Sequence, residues 1–220
     1  MRCISGVGFA PMRQSPEAIE YICHLMEGVE EIPTGDLKTG LGWNWEQFAD
    51  YLNYIDTPHA IDFGANLPHS CLRAYVLGLE NANGDPTPAQ IEEMQALVRE
   101  SMAAGAMGFC CSRSANHRSS GGNAEGGMSG DLAPGYFATD EEMIAMAEAV
   151  RDVRGNTGVF QCIDQYNNNT PERPYELEWA IKPEDGTHRG MDWMRAISKL
   201  GLTVIHPLNL RSGRAPLSEK

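Results

Sequence analysis

Short apolar runs alternate along the chain with stretches of helical periodicity, and each run ends in polar or glycine-rich residues. Five runs have the length and composition of strands, namely residues 3–11, 60–68, 106–112, 157–164 and 202–210. Strands that alternate with helices form parallel sheets, and the loops at the carboxyl ends of such strands carry function. The pattern therefore predicts a parallel α/β protein.

Capping residues mark the helices between these runs. Thr87 and Gln90 are spaced as a capping box, and Gly105 follows as a helix end. Thr139 and Glu142 have the same spacing and predict a second box. The apolar stripes at helical spacing are Ile19, Ile22, Cys23, Met26; Trp45, Phe48, Leu52, Ile55; Ile91, Met94, Val98, Met102; and Met143, Met146, Val150, Val153. Residues 165–187 are predicted to form a loop, and residues 190–201 a last helix.

The arrangement of these elements favours a barrel over a nucleotide-binding sheet. No GxGxxG or GxxxxGK[ST] motif follows a predicted strand. Five strand–helix units are too few to close an eight-stranded barrel. The predicted fold is therefore a partial (β/α)8 TIM-type barrel, roughly strands two to six, with residues 1–220 as one incomplete barrel domain.

Composition limits the partners and the compartment expected for the protein. The net charge of -13 argues against a nucleic-acid partner, because phosphates require a basic surface. No stretch reaches the roughly 20 apolar residues that span a bilayer, which predicts no membrane partner. The six cysteines include no CxxC pair, which is typical of a reduced, cytoplasmic protein whose thiols act as small apolar side chains.

Candidate chemistry lies where the predicted strands end. His69 follows the second run, Arg113 and His117 follow the third, and His206 lies late in the fifth. In a barrel these side chains converge on one mouth, where imidazole can ligate a metal or transfer a proton. The alternative interpretation is that His69 hydrogen-bonds its own turn and that His206 is a core histidine. Asp164 ends the fourth run and is either a functional carboxylate or a loop cap.

The segment from Arg113 to Tyr136 is a second candidate feature. Six glycines, two arginines and one histidine occur in it, and loops of this length in compact domains are usually functional or disordered. Arg113 and Arg118 could clamp a carboxylate in bidentate geometry. The alternative is a solvated loop whose charges contact nothing.

Several long motifs point to a known family. "GVGFAPMR", "LMEGVEEIP", "WNWEQFADYLN", "IDFGANLPHSCLRAYVLG" and "GAMGFCCSRSANHRSS" occur in this order. Together they resemble the N-acyl-D-amino-acid deacylase (D-aminoacylase) branch of the amidohydrolase superfamily, closely over residues 5–163 and loosely beyond. The resemblance implies a zinc-dependent (β/α)8 barrel, usually with a small β-sandwich beside it, that deacylates N-acylated D-amino acids through a metal-activated water.

The resemblance also implies roles for single residues. The implied substrate-binding residues are Arg113, His117, Arg118 and His69. The implied metal ligands are Cys3, Ser5 and His206. Ser5 stands where the family has a metal-binding cysteine, and Cys3 lies two residues earlier. The family's first-strand HxH pair and its late aspartate, the general base, have no counterpart here, and neither do the flanking barrel strands and the β-sandwich. The expectation is therefore an incomplete barrel.

Two other functions stay open at this point. One is a related cyclic-amide hydrolase with the same barrel and metal. The other is a catalytically incomplete protein that binds a small ligand or a partner, which Ser5 favours, whereas the Arg113–Arg118 stretch favours an enzyme. Because an incomplete barrel leaves two open sheet edges, self-association through those edges is also predicted.

Overall fold

The computed structural model of the chain describes residues 6–114, 116–120, 130–164 and 192–206. The helices in these ranges are α1 (Pro16–Glu30), α2 (Thr34–Gly40), α3 (Phe48–Ile55), α4 (His69–Leu77), α5 (Pro88–Ala104), α6 (Asp140–Arg154) and α7 (Asp192–Lys199). The strands are β1 (Leu67–Pro68), β2 (Gly108–Arg113), β3 (Val159–Asp164) and β4 (Thr203–Ile205). Among the described residues, no helix combines the length and apolarity needed to cross a membrane.

The four strands form one sheet in the order β1-β2-β3-β4, and every neighbouring pair is parallel. Arg113 at the end of β2 is in register with Asp164 at the end of β3. The carboxyl ends of these two strands therefore lie side by side. The predicted parallel α/β class is confirmed.

The two faces of the sheet have different neighbours. The rings of Phe109 and Phe160 are 5.2 Å apart, and Phe160 is 6.3 Å from Trp193 of α7. Because side chains alternate along a strand, these contacts define a helix face made of Phe109, Cys111, Arg113, Phe160 and Cys162. The residues between them, Cys110, Ser112, Gln161 and Ile163, make up the opposite face.

The helix caps follow the sequence in one case and depart from it in another. Thr87 and Gln90 form the predicted capping box, and Gly105 ends α5 with φ +118°. The Thr139 side chain accepts a hydrogen bond from the Glu142 backbone N–H, as predicted. The predicted bond from the Glu142 carboxylate back to the Thr139 backbone is wrong. That carboxylate points into the protein and binds the side chains of His69 and Arg73.

Some predicted elements are shorter than expected or were missed. Residues 6–11 and 60–66 are not strands, and only Leu67–Pro68 of the second run pairs with β2. Glycine explains the first case, since Gly6 has φ +72°, outside the β region. Helices α2 and α4 were not predicted, and Val153 is 41% exposed rather than buried. The predicted loop over residues 165–187 lies outside the described residues.

Candidate functional site

A buried cluster of three charged or polar side chains lies on the helix side of the sheet. His69 is the first residue of α4 and is fully buried, with Nε2 2.7 Å from Oε1 of Glu142 on α6. Because a carboxylate only accepts, Nε2 carries the proton and donates it. Arg73 Nη1 lies 2.5 Å from both carboxylate oxygens of Glu142. These residues, His69, Arg73 and Glu142, are called the buried cluster below.

The protonation states in the buried cluster follow from burial and contact. Burial acts to raise the pKa of Glu142, but the hydrogen bond from His69 and the guanidinium of Arg73 lower it to about 2. Burial also lowers the pKa of His69 below its usual value. At neutral pH the cluster therefore pairs an ionised Glu142 with Arg73, and His69 is neutral.

The buried cluster also holds the turns around it. Arg73 Nε donates to the carbonyl of Ala82 at 2.8 Å, and its Nη2 donates to the carbonyl of Gly84. Gly135 lies against the imidazole, where a Cβ would come within 2.7 Å of His69 Nδ1. These contacts give His69 a structural role, and its role in substrate binding stays a prediction.

The neutral state of His69 makes stability depend on pH. Below about pH 6.5 the unfolded chain protonates this imidazole while the folded protein resists protonation, so the free energy of unfolding falls as pH falls. Just below pH 6.5 we expect His69 to give the free energy of unfolding a positive slope with pH of at most about 1.4 kcal/mol per pH unit, the value for one proton. Urea titrations across this window measure the slope.

The matched variant for this prediction is His69→Gln, because its side-chain amide can still donate to Glu142. The slope just below pH 6.5 is expected to be smaller in the variant, since glutamine does not titrate. An unchanged slope would show that His69 is not the group responsible.

Arg113 also belongs to the helix face. Its Nη1 donates to Oδ1 of Asp140 at 2.7 Å and to the Ala138 carbonyl at 3.3 Å. Its guanidinium carbon lies 5.2 Å from the centroid of the Trp193 ring, a cation–π distance. The side chain is buried and joins the end of β2 to α6 and α7. Its predicted role in binding a substrate carboxylate stays a prediction.

Polar side chains of the opposite face form a second group, which runs from Asn66, just before β1, to Ser112 and His117 at the carboxyl end of β2. Ser112 Oγ is 2.7 Å from Nδ1 of His117 and accepts from the Ser114 backbone N–H at 3.3 Å. On the same face, Asn66 Nδ2 donates to Gln161 Oε1 at 3.5 Å. Hydroxyl, amide and imidazole groups can bind a small polar ligand and move a proton. These residues, Asn66, Gln161, Ser112 and His117, are called the polar row.

The segment that follows His117 is anchored to helix α1. Ser120 Oγ lies 2.9 Å from Nδ1 of His24 and donates to Oε2 of Glu27 at 2.5 Å, and the Ser120 N–H donates to the His24 carbonyl at 2.7 Å. Arg118 Nη1 donates to the carbonyl of Gly130 at 3.0 Å. Arg118, predicted to bind substrate, therefore lies in a segment that is bonded to α1 and to residues 130–132.

Gly28 lets this segment approach α1. A Cβ at Gly28 would meet the backbone of Arg118 and come within 2.6 Å of Ser120 N. Gly28→Ala is therefore expected to detach residues 118–120, raising amide exchange at Ser120, and to give no gain in stability. Gly35→Ala in α2 is the control, because a Cβ there meets nothing within 4 Å and helix propensity alone should stabilise by up to about 1 kcal/mol. Equal gains for both variants would contradict the anchoring.

Of the three predicted metal ligands, His206 alone lies among the described residues. Nδ1 of His206 is 3.1 Å from the Cys162 carbonyl. A carbonyl only accepts, so Nδ1 holds the proton and Nε2 of the neutral ring is the ligand-type nitrogen, as in metal sites. Within the described ranges, no three His, Cys, Asp or Glu side chains group to hold a metal. Cys3 and Ser5 lie outside those ranges, as does the side chain of Asp164.

Sequence reasoning missed five residues of the buried cluster and the polar row. Glu142 was interpreted only as a capping residue, and Arg73, Asn66, Ser112 and Gln161 were not singled out. One signal was available, since His69 and Arg73 are four residues apart and share a side of any helix. Gln161 gave a weaker signal as a polar residue inside an apolar strand.

Together these features define a parallel α/β protein with polar side chains at the carboxyl ends of its strands. Searches against protein-family models, curated proteins and solved structures found no match for this chain. A function for this chain is therefore inferred from its motifs and its geometry.

Proposed function

We propose that this chain forms part of an amidohydrolase-type (β/α)8 barrel that hydrolyses the amide bond of small N-acylated amino acids. The observation that carries the proposal is the Ser112–His117 pair, 2.7 Å apart at the carboxyl end of β2. In barrels of this type the chemistry takes place at that end of the strands. The motifs that resemble D-aminoacylases include this pair, in "CCSRSANH".

The sheet supports the barrel part of the proposal. Its four strands are parallel and lie in sequence order, as they do around a (β/α)8 barrel. The apolar helix face packs against α6 and α7, whereas the opposite face includes Ser112 and Gln161. In the proposed barrel the opposite face is the interior, so the polar row lines the site.

Each group in the site has a chemical task in this proposal. The amides of Asn66 and Gln161 and the hydroxyl of Ser112 bind the polar atoms of the substrate, and the His117 imidazole moves a proton. Arg118 is the candidate for the substrate carboxylate. Zinc, when bound, would supply an activated water, and His206 is its one candidate ligand among the described residues. No complete ligand set is described, so no step is assigned to the metal.

A panel of N-acetyl amino acids tests the proposal. The purified chain is incubated with D and L enantiomers, with and without added zinc, and release of the free amine is measured. We expect hydrolysis that favours the D series and is lost with a chelator. A folded protein that releases no amine from either series, with or without zinc, would contradict the proposal. Ring opening of cyclic amides instead would identify the related cyclic-amide hydrolase.

The second candidate function is binding without turnover. It is favoured by the observation that the described residues hold no complete metal set. Calorimetry with the same N-acetyl amino acids separates the two candidates, because a binding protein would give saturable heat without releasing amine.

A further inference from the structure

An apolar groove of about 530 Å³ lies beside β1 at the edge of the sheet. Its volume falls in the range of small-molecule sites. The larger apolar side chains that line it include Phe9, Ile32, Phe48, Tyr51, Ile55 and Phe63. Glu30 is the one Asp, Glu, Lys or Arg among the described residues that line it. The groove thus pairs an apolar wall with one carboxylate, and His59 and Asn66 add an imidazole and an amide to the lining.

The groove extends to the amino end of the strands. Gly64 and Ala65 line it, and the Ala65 carbonyl accepts from the N–H of Met107 at 2.9 Å. Met107 immediately precedes β2, so this part of the groove lies at the amino end of the strands. His117 and His206 follow the carboxyl ends. The groove therefore adjoins the polar row at Asn66, which lines it, but its lining does not include Ser112, Gln161 or His117.

Large apolar side chains are exposed on this groove. Ile61 is 74% exposed and Phe63 is 40% exposed, and both line the groove. Exposed apolar side chains that border a concave surface are typical of ligand-binding sites. A ligand that covers these two side chains would gain hydrophobic free energy.

The charge and the aromatic rings indicate what kind of ligand fits. Residues 30–32 and 55–66 contain Glu30, Glu31, Asp56 and Asp62 and no lysine or arginine. The ring of Tyr51 lies 5.9 Å from Phe48 and 6.2 Å from Phe9. Aromatic faces and carboxylates both attract cations. A ligand with an apolar body and a positive group is complementary to this surface, and a carboxylate ligand is not.

We propose that this groove binds a small hydrophobic ammonium compound. The apolar body of the ligand packs on Phe9, Tyr51 and Phe63, and the ammonium group lies at Glu30. This site shares Asn66 with the polar row, but Ser112, Gln161 and His117 are not in its lining, so it is separate from the pair proposed to move the proton.

Calorimetric titration of the full chain with three matched probes tests the proposal. Phenylbutylamine, phenylbutanol and phenylbutanoate share one apolar body and differ in charge at neutral pH. We expect the amine to bind about tenfold more tightly than the alcohol, the ratio that one cation–π or ion-pair contact gives, and the carboxylate to bind most weakly. Equal affinity for amine and alcohol, or no binding of the amine, would overturn the proposal.

Single variants locate the site. Glu30→Gln is expected to abolish the advantage of the amine over the alcohol, whereas Glu31→Gln, which changes the adjacent carboxylate outside the groove lining, keeps it. Phe63→Ala should weaken the amine and the alcohol alike, and Val153→Ala, equally exposed at 41% on α6, should weaken neither. Thermal melts confirm that each variant is folded. Loss of the charge preference in Glu31→Gln but not in Glu30→Gln would place the cation elsewhere. Displacement of the amine by N-acetyl amino acids would show that both ligands occupy one site and would overturn the proposal.

Discussion

Replacing Glu142 with glutamine is expected to lower the free energy of unfolding by about 3–5 kcal/mol, the usual cost of breaking a buried ion pair. Glu142 is 3% exposed, and its carboxylate is bonded to Arg73 and His69. The substitution leaves the Arg73 charge buried without its counter-charge. Urea unfolding at pH 7 measures the loss, and circular dichroism confirms that the variant still folds.

The adjacent Glu141 provides the control for this prediction. Glu141 is exposed in the same first turn of α6, so Glu141→Gln removes the same charge near the helix N-terminus without touching the buried cluster. Its expected cost is below about 1 kcal/mol. Equal losses in the two variants would show that the helix dipole, and not the buried cluster, explains the effect.

Replacing His206 with alanine is expected to reduce amide hydrolysis on the order of 10²-fold, because the variant loses the candidate ligand of the zinc that would supply the activated water. His206 follows β4 and its Nδ1 is held by the Cys162 carbonyl at 3.1 Å. The same variant is expected to lose bound zinc, since it removes the candidate ligand nitrogen. Initial rates and elemental analysis of the purified proteins measure both effects.

Thr203→Ala is the control within the same strand. Thr203 is exposed at the start of β4, away from the carboxyl end, and its loss should leave rate and metal content unchanged. Full activity of His206→Ala with undiminished zinc would remove this residue from the proposed site.

The parts of the fold that could be predicted depend on local signals. The Thr87–Gln90 capping box and the glycine that ends α5 act within one turn of chain, and the structure confirms them. The second strand was predicted seven residues too long, because an apolar composition does not show where a partner strand pairs. Pairing is a tertiary property, and only Leu67 and Pro68 reach β2.

The candidate site illustrates the same limit for side chains. Glu142 satisfies the spacing of a capping box, but burial beside Arg73 offers its carboxylate stronger, charge-assisted bonds, so the long-range contact replaces the local one. Arg113 and Ser112 are neighbours in the chain and face opposite sides of the sheet. Their alternation was visible in the sequence, but the face that the helices cover was not.

We propose that the polar row acts on the substrate, whereas Arg113 and the buried cluster stabilise the fold. The most direct test is kcat/KM for an N-acetyl amino acid, per folded molecule, in His117→Ala and Arg113→Met, with melting temperatures measured alongside. We expect a large loss of kcat/KM in His117→Ala at an unchanged melting temperature. In Arg113→Met we expect a lower melting temperature and an unchanged kcat/KM. Loss of kcat/KM in Arg113→Met at an unchanged melting temperature, with His117→Ala fully active, would contradict this proposal.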